Sequence, residues 1–152
     1  VFNFEDKGNI GIHICYDLWF PETARALAVA GAELIINPTM TPTKDRDIET
    51  LMVQATAAQQ QCYYVDINGS GEQGVGKSLI CDFEGSVIDE ANQENKILEA
   101  EIDFEKVKEA RRKGFMGLGQ PLKSFRDNPF NPVNYMNKEY LDSLGDLKKD
   151  KK

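Results

Sequence analysis

The chain has 152 residues, 41% of them hydrophobic and 28% charged, a composition suited to one water-soluble globular domain. Its 18 basic residues are outnumbered by 25 acidic ones, giving a net charge of −7. That argues against nucleic acid as a partner, because phosphate affinity needs clustered Lys and Arg. The one basic run, "LKKDKK" at 147–152, reads as a solvated tail, and no run nears the roughly 20 apolar residues of a membrane span.

The sequence opens without Met on "VFNFEDKGN", as if in mid-strand, and carries no signal peptide, so an upstream portion is expected. Residues 9–15, "NIGIHIC", alternate and are β-branched, which predicts a strand. Pro21 suits the first turn of a helix, Glu22 suits the positive end of its dipole, and Gly31 suits the left-handed position past its end. A helix is therefore predicted through "ETARALAVA". "AELIINP" predicts a buried strand ended by Pro38, and strand–helix–strand at this spacing makes a βαβ unit with parallel neighbours. Thr43 or Asp45 is a candidate cap for a helix over 46–61, with Ile48, Leu51, Met52 and Ala55 on one face.

"CYYVDING" at 62–69 predicts a further strand, leading into the glycine-rich "NGSGEQGVG". "KSLICDFEGSVIDEA" predicts a hairpin turning at "DFEG", "KILEAEID" another strand, and "DFEKVKEARRK" a short helix capped by Asp103. From Gly114 on, glycine and proline are too frequent for regular elements. This order predicts layered α/β packing around a mixed sheet. The early strands are apolar on both sides, so a face without helices must be covered by another sheet or another chain.

The three cysteines, Cys15, Cys62 and Cys81, are odd in number and widely spaced, which points to a reducing, cytoplasmic setting rather than disulfides. With no CxxC pair and a single His, no metal site and no cofactor are expected. Cys15 closes a strand just before a turn into a helix. A thiol there is either a small apolar residue filling a gap or a nucleophile presented at the sheet's C-terminal edge, where backbone N–H groups stabilise a thiolate and an oxyanion. Position alone leaves both open.

The residues around it carry more. Cys15-Tyr16-Asp17, Phe20-Pro21-Glu22, Arg25 and Gly31-Ala32-Glu33 in "GIHICYDLWFPETARALAVAGAELIINPT" together resemble the nitrilase superfamily of carbon–nitrogen hydrolases. "AAQQQCYYVDINGSG" and "GKSLICDFEGSVIDEA" extend the resemblance over roughly residues 8–104. It implies a four-layer α-β-β-α sandwich paired with a second subunit. It also implies a cysteine nucleophile, Cys15, that attacks a small amide and forms an acyl-enzyme which water hydrolyses. The Cys-Tyr-Asp triplet is similar to amidase-like branches more than to true nitrilases. The family's general-base Glu and its Lys precede the cysteine by far more than 14 residues, so residues 1–113 resemble the C-terminal part of the domain, with 114–152 as an extended segment and tail. Glu5 and Lys7 lie too near to be that pair, and this stretch alone is expected to be inactive.

Within the resemblance, Tyr16 is expected to offer its backbone N–H to the oxyanion and Trp19 to line the acyl pocket. Asp17 is expected to cap local N–H groups, and Glu22 with Arg25, three apart, to anchor the turn. His13, two residues before Cys15 on a strand, is expected on the same face about 6–7 Å away. It is either a partner for the thiol or a satisfied core residue. Three functions stand against one another: a carbon–nitrogen hydrolase, a non-catalytic dimerisation or binding module of the same fold, and a redox-sensing thiol. A homodimer or larger homo-oligomer is expected.

Overall fold

In a computed structural model, residues 1–71, 74–114, 119–128 and 138–146 are described. Strands β1 (Phe2–Phe4), β2 (Gly8–Ile12), β3 (Leu34–Thr39), β4 (Tyr63–Asn68), β5 (Leu79–Cys81) and β6 (Val87–Glu90) form one six-stranded sheet in sequence order. β2, β3 and β4 are parallel and the flanking pairs antiparallel, so the sheet is mixed as the element order predicts. Helices α1 (Pro21–Val29) and α2 (Arg46–Gln60) are the crossovers between the parallel strands, and short α3 (Phe104–Lys113), α4 (Pro121–Asp127) and α5 (Lys138–Ser143) follow.

The helix ends obey local chemistry. Pro21 opens α1 where its missing N–H costs nothing, and Gly31 takes φ 97° beyond the last turn. Asp103 caps α3 by accepting from the N–H groups of Glu105 (3.0 Å) and Lys106 (3.2 Å). In the β5–β6 hairpin the Asp82 carboxylate accepts from the Glu84 and Ser86 N–H groups, both at 2.9 Å, and Gly85 supplies φ 86°.

One core lies between the sheet and its crossovers: Ile35, Tyr64, Leu79 and Cys81 from the strands meet Ala24 of α1 and Val53 and Ala57 of α2. On the other face a smaller cluster joins Ile10, Leu34 and Tyr63 to Val107 of α3, with Ile102 and Phe104 against it. Charged α3 is docked there by Arg111, which donates to three carbonyls: Gln61 from Nε at 3.0 Å, and Ala32 (2.5 Å) and Gln60 (3.2 Å) from Nη2. Further along this face the strands lie bare. Ile12 is 51% and Ile67 44% exposed, with exposed Pro38 in β3 beside Ile67. Among the described residues no helix covers this part of the face, for which the two-sided apolar strands predict a cover from another sheet or another chain.

Three expectations change. The 9–15 strand ends at Ile12, because the backbone turns into the left-handed region at Cys15. "KILEAEID" forms no strand: β6 is the edge of the sheet, and Lys96 and the Glu99 N–H bond the Asp89 side chain instead of pairing with its backbone. Two helices lie beyond Gly114, and α4 finds a surface through Phe125, whose ring sits 5.7 Å from the Arg25 guanidinium. Residues 115–118 and 129–137 of that stretch, and the basic run at 147–152, lie outside the described residues.

Candidate active site

β2 delivers the chain to the C-terminal edge of the parallel strands, where the His13 N–H makes one more ladder-like bond to the Ile36 carbonyl (2.9 Å). Three residues past the strand, Cys15 adopts φ 52° and begins a 3-10 turn, Cys15–Trp19. A left-handed backbone at a residue with a Cβ costs on the order of 1 kcal/mol, and such strain gathers where a side chain must be presented at one angle.

The turn is closed by a reciprocal clamp across the cysteine. The Ile14 N–H donates to the Asp17 carboxylate (3.0 Å), and the Asp17 N–H donates to the Ile14 carbonyl (3.1 Å). Asp17 thus caps its own turn. Its carbonyl accepts from the Phe20 N–H at 3.1 Å and lies 2.8 Å from the Thr23 hydroxyl of α1, tying turn to helix.

Cys15 is half-buried and reduced, whereas Cys62 and Cys81 are fully buried strand-side thiols pushed up to about 12 by burial. Cys15 is thus the most accessible of the three cysteines. Among the described residues the Tyr16 backbone N–H has no protein acceptor. The Tyr16 ring is 65% exposed and stands edge-on to Phe20 at 5.2 Å and tilted against Trp19 at 6.3 Å, a cluster of rings beside the thiol. The Trp19 indole N–H donates to Glu49 Oε1 at 3.1 Å.

His13 is a core residue. It is 2% exposed, its Nδ1 meets the Tyr64 hydroxyl at 2.9 Å, and burial holds its imidazole below the ordinary range against weaker upward pulls from the Thr23 backbone and from Asp17. Because the strand ends before Cys15, the same-face geometry expected for the two residues does not arise. Glu5 and Lys7 form an exposed ion pair at 2.9 Å in the β1–β2 turn, at the opposite end of β2 from the thiol. Arg25 has a buried Nη1 without a hydrogen-bond partner and lies under Phe125.

Sequence reasoning missed a buried ionic layer under this edge. Arg46, 0% exposed in the first turn of α2, donates from Nη1 to Glu49 Oε2 (3.3 Å), and from Nη2 to Asp66 of β4 and the Lys77 carbonyl (2.7 Å). Asp66 also accepts from Asn37 of β3, its register neighbour, at 2.6 Å. The available signal was a polar residue at the same inward position of two apolar strands, "LIINPT" and "YYVDIN". Asn68 ties the next layer, accepting from the Thr41 N–H (2.7 Å) and donating to the Thr41 (3.1 Å) and Gly76 (2.8 Å) carbonyls. This ties the ends of β3 and β4 to Gly76, just ahead of β5; residues 72–73 of the glycine-rich run lie outside the described residues. Among the described residues no cluster of three His, Cys, Asp or Glu side chains is placed to hold a metal ion, and no helix is long and apolar enough to cross a membrane.

A half-buried thiol with a left-handed backbone thus stands on a clamped turn at the C-terminal edge of a mixed α/β sheet. The chain belongs to the carbon-nitrogen hydrolase family, whose profile matches residues 1–112. It is 35% identical over 105 residues to a deaminated glutathione amidase of Escherichia coli O157:H7, covering 67% of this chain and 40% of that protein. Among solved structures it is similar to Saccharomyces cerevisiae Nit3, a member of branch 10 of the nitrilase superfamily, with a TM-score of 0.62 at 28% identity over 68% of this chain and 40% of the other. It is also similar to a mutant of the amidase from Nesterenkonia sp. AN1 that carries the acetamide moiety of fluoroacetamide covalently added at the active site cysteine. There the TM-score is 0.53 at 27% identity, over 56% of this chain and 34% of the other. The fold is that of the nitrilase superfamily, and the chain spans about half or less of the length of the relatives it matches.

Proposed function

We propose that this chain supplies the nucleophile-bearing part of an amidase in which Cys15 cleaves a small amide through an acyl-enzyme. The observation that carries the reading is the left-handed Cys15 backbone within the Ile14–Asp17 clamp, supported by the covalent adduct at the cysteine of the Nesterenkonia amidase. The thiolate adds to the amide carbon, forming the C–S bond and moving the carbonyl π pair to oxygen as an oxyanion. The pair returns, the C–N bond breaks, and the nitrogen leaves as ammonia or an amine after taking a proton. Water then adds to the thioester carbon, and the C–S bond breaks to release acid and thiol. In this reading the Tyr16 N–H faces the oxyanion, Trp19 borders the acyl group, and the proton-handling Glu and the Lys come from a segment beyond these residues.

The bare strip of Ile12, Pro38 and Ile67 supports a further layer over that face, contributed by the same segment, with a second copy of the chain completing the assembly. The test measures ammonia release from short aliphatic amides. The chain alone is expected to give none. A longer in-frame chain carrying a Glu and then a Lys ahead of Val1 is expected to give turnover that Cys15→Ala abolishes, with the acyl-enzyme mass on Cys15 after acid quench. Turnover that survives Cys15→Ala would end the proposal.

A further inference from the structure

The ionic layer under the site does not end in the core. Asn37 and Asp66 report the relative position of β3 and β4, and Arg46 grips Asp66 while also gripping Glu49. Glu49 uses its second oxygen to hold the Trp19 indole, and Trp19 ends the turn that begins at Cys15. Five side chains therefore link the strand ends to the cysteine turn, and each carboxylate uses separate oxygens for its two partners.

Stability alone is a poor reason for this arrangement. Removing a guanidinium and two carboxylates from water is expensive, and well-packed apolar residues often do as well in such places. What ions add here is direction, since a guanidinium holds its acceptors at set angles where aliphatic packing tolerates slippage. The Ile14–Asp17 clamp fixes the turn internally, but among the described residues its far end gains a polar hold on the body of the protein at Trp19 and at the Thr23 hydroxyl.

We infer that Arg46 is the positioning residue of the Cys15 turn, acting through Glu49 on Trp19 to set the presentation of the thiol. The inference rests on the amidase reading for the purpose of the thiol, but its geometry is testable without turnover. Trp19 is the sole tryptophan and Cys15 the one thiol that is not fully buried, so fluorescence reads one end of the link and alkylation the other.

The experiment uses the full 152-residue chain and its Arg46→Met, Glu49→Ala, Glu49→Gln and Trp19→Phe variants. It follows Cys15 carbamidomethylation by iodoacetamide between pH 6 and 9 and, in the chains that retain it, Trp19 emission. Arg46→Met and Glu49→Ala are expected to shift the emission and change the Cys15 rate by about fivefold, the weight of one lost hydrogen bond. Glu49→Gln keeps an oxygen for the indole N–H but turns an NH2 group, which cannot accept, toward the Arg46 guanidinium, and is expected to change both readouts as Arg46→Met does. Trp19→Phe breaks the link while leaving Arg46, Glu49 and Asp66 in place, and is expected to reproduce the rate change in a folded chain even where Arg46→Met does not fold. An unchanged Cys15 rate in Trp19→Phe, or a Glu49→Gln chain that keeps the parent's rate and emission, overturns the inference. Failure of the longer chain to hydrolyse amides would instead count against the amidase reading and leave these rates as they are.

Discussion

His13 and Tyr64 meet through Nδ1 and the phenol oxygen at 2.9 Å, across 51 residues of sequence and out of reach of water. Burial lowers the affinity of this imidazole for a proton. The unfolded chain, with an ordinary imidazole near 6.5, binds a proton that the folded chain refuses. The contribution to stability is therefore whole above about 6.5 and is lost as the pH falls toward the lower folded-state value. Urea midpoints measured from pH 8 down to pH 5 should decline below about 6.5, and His13→Asn should remove most of that slope. A slope unchanged in the variant would assign the decline to carboxylates.

The three thiols should separate cleanly. Cys62 and Cys81 are fully buried and pushed up to about 12, while Cys15 is partly open to solvent. Native chain treated with iodoacetamide at pH 7.5 should gain one carbamidomethyl group, located at Cys15 by peptide mapping, and gain the other two only in denaturant. Native labelling at Cys62 would contradict the packing of α2 on β4.

The backbone at Cys15 carries its own test. Glycine takes φ 52° without penalty and alanine does not. Cys15→Gly should therefore be more stable than Cys15→Ala by about 1 kcal/mol, reversing the usual order of the two residues. Denaturant unfolding of the two variants decides it, and the normal order would mean that the turn is not left-handed.

Loss of the Asp103 cap should weaken the docking of α3. Asp103→Ala leaves the Glu105 and Lys106 N–H groups without their acceptor and should cost about 1 kcal/mol. Asp103→Asn should recover most of it. Equal melting temperatures for all three chains would show that α3 contributes little to the folded core.

The readings that held were those whose signals are local. Pro21 and Gly31 bound α1 because φ preferences act within one turn, and the Asp103 cap and the Asp82 hairpin rest on side chains two to four residues from their partners. The family was legible through Cys15 and its neighbours Asp17, Phe20 and Pro21. Arg46 was not, since a charged residue in a first helical turn looks the same whether it faces water or Asp66, and only the packing of α2 against β4 decides. His13 proved the satisfied core residue of its two readings, and only the extent of its strand misled. Alternation extended the strand to Cys15, but alternation does not register where the backbone changes hand. "KILEAEID" has the right period, yet a period forms a strand only where an edge offers it hydrogen bonds, and Ile97 stands 84% exposed instead.

Arg111 gathers the carbonyls of Ala32, Gln60 and Gln61 under one guanidinium, one residue before the family match ends. The hydrolase portion is thereby fastened from inside its own boundary, at the roots of β3 and β4. Losing that one guanidinium would therefore unhitch α3 from the starts of two neighbouring parallel strands at once.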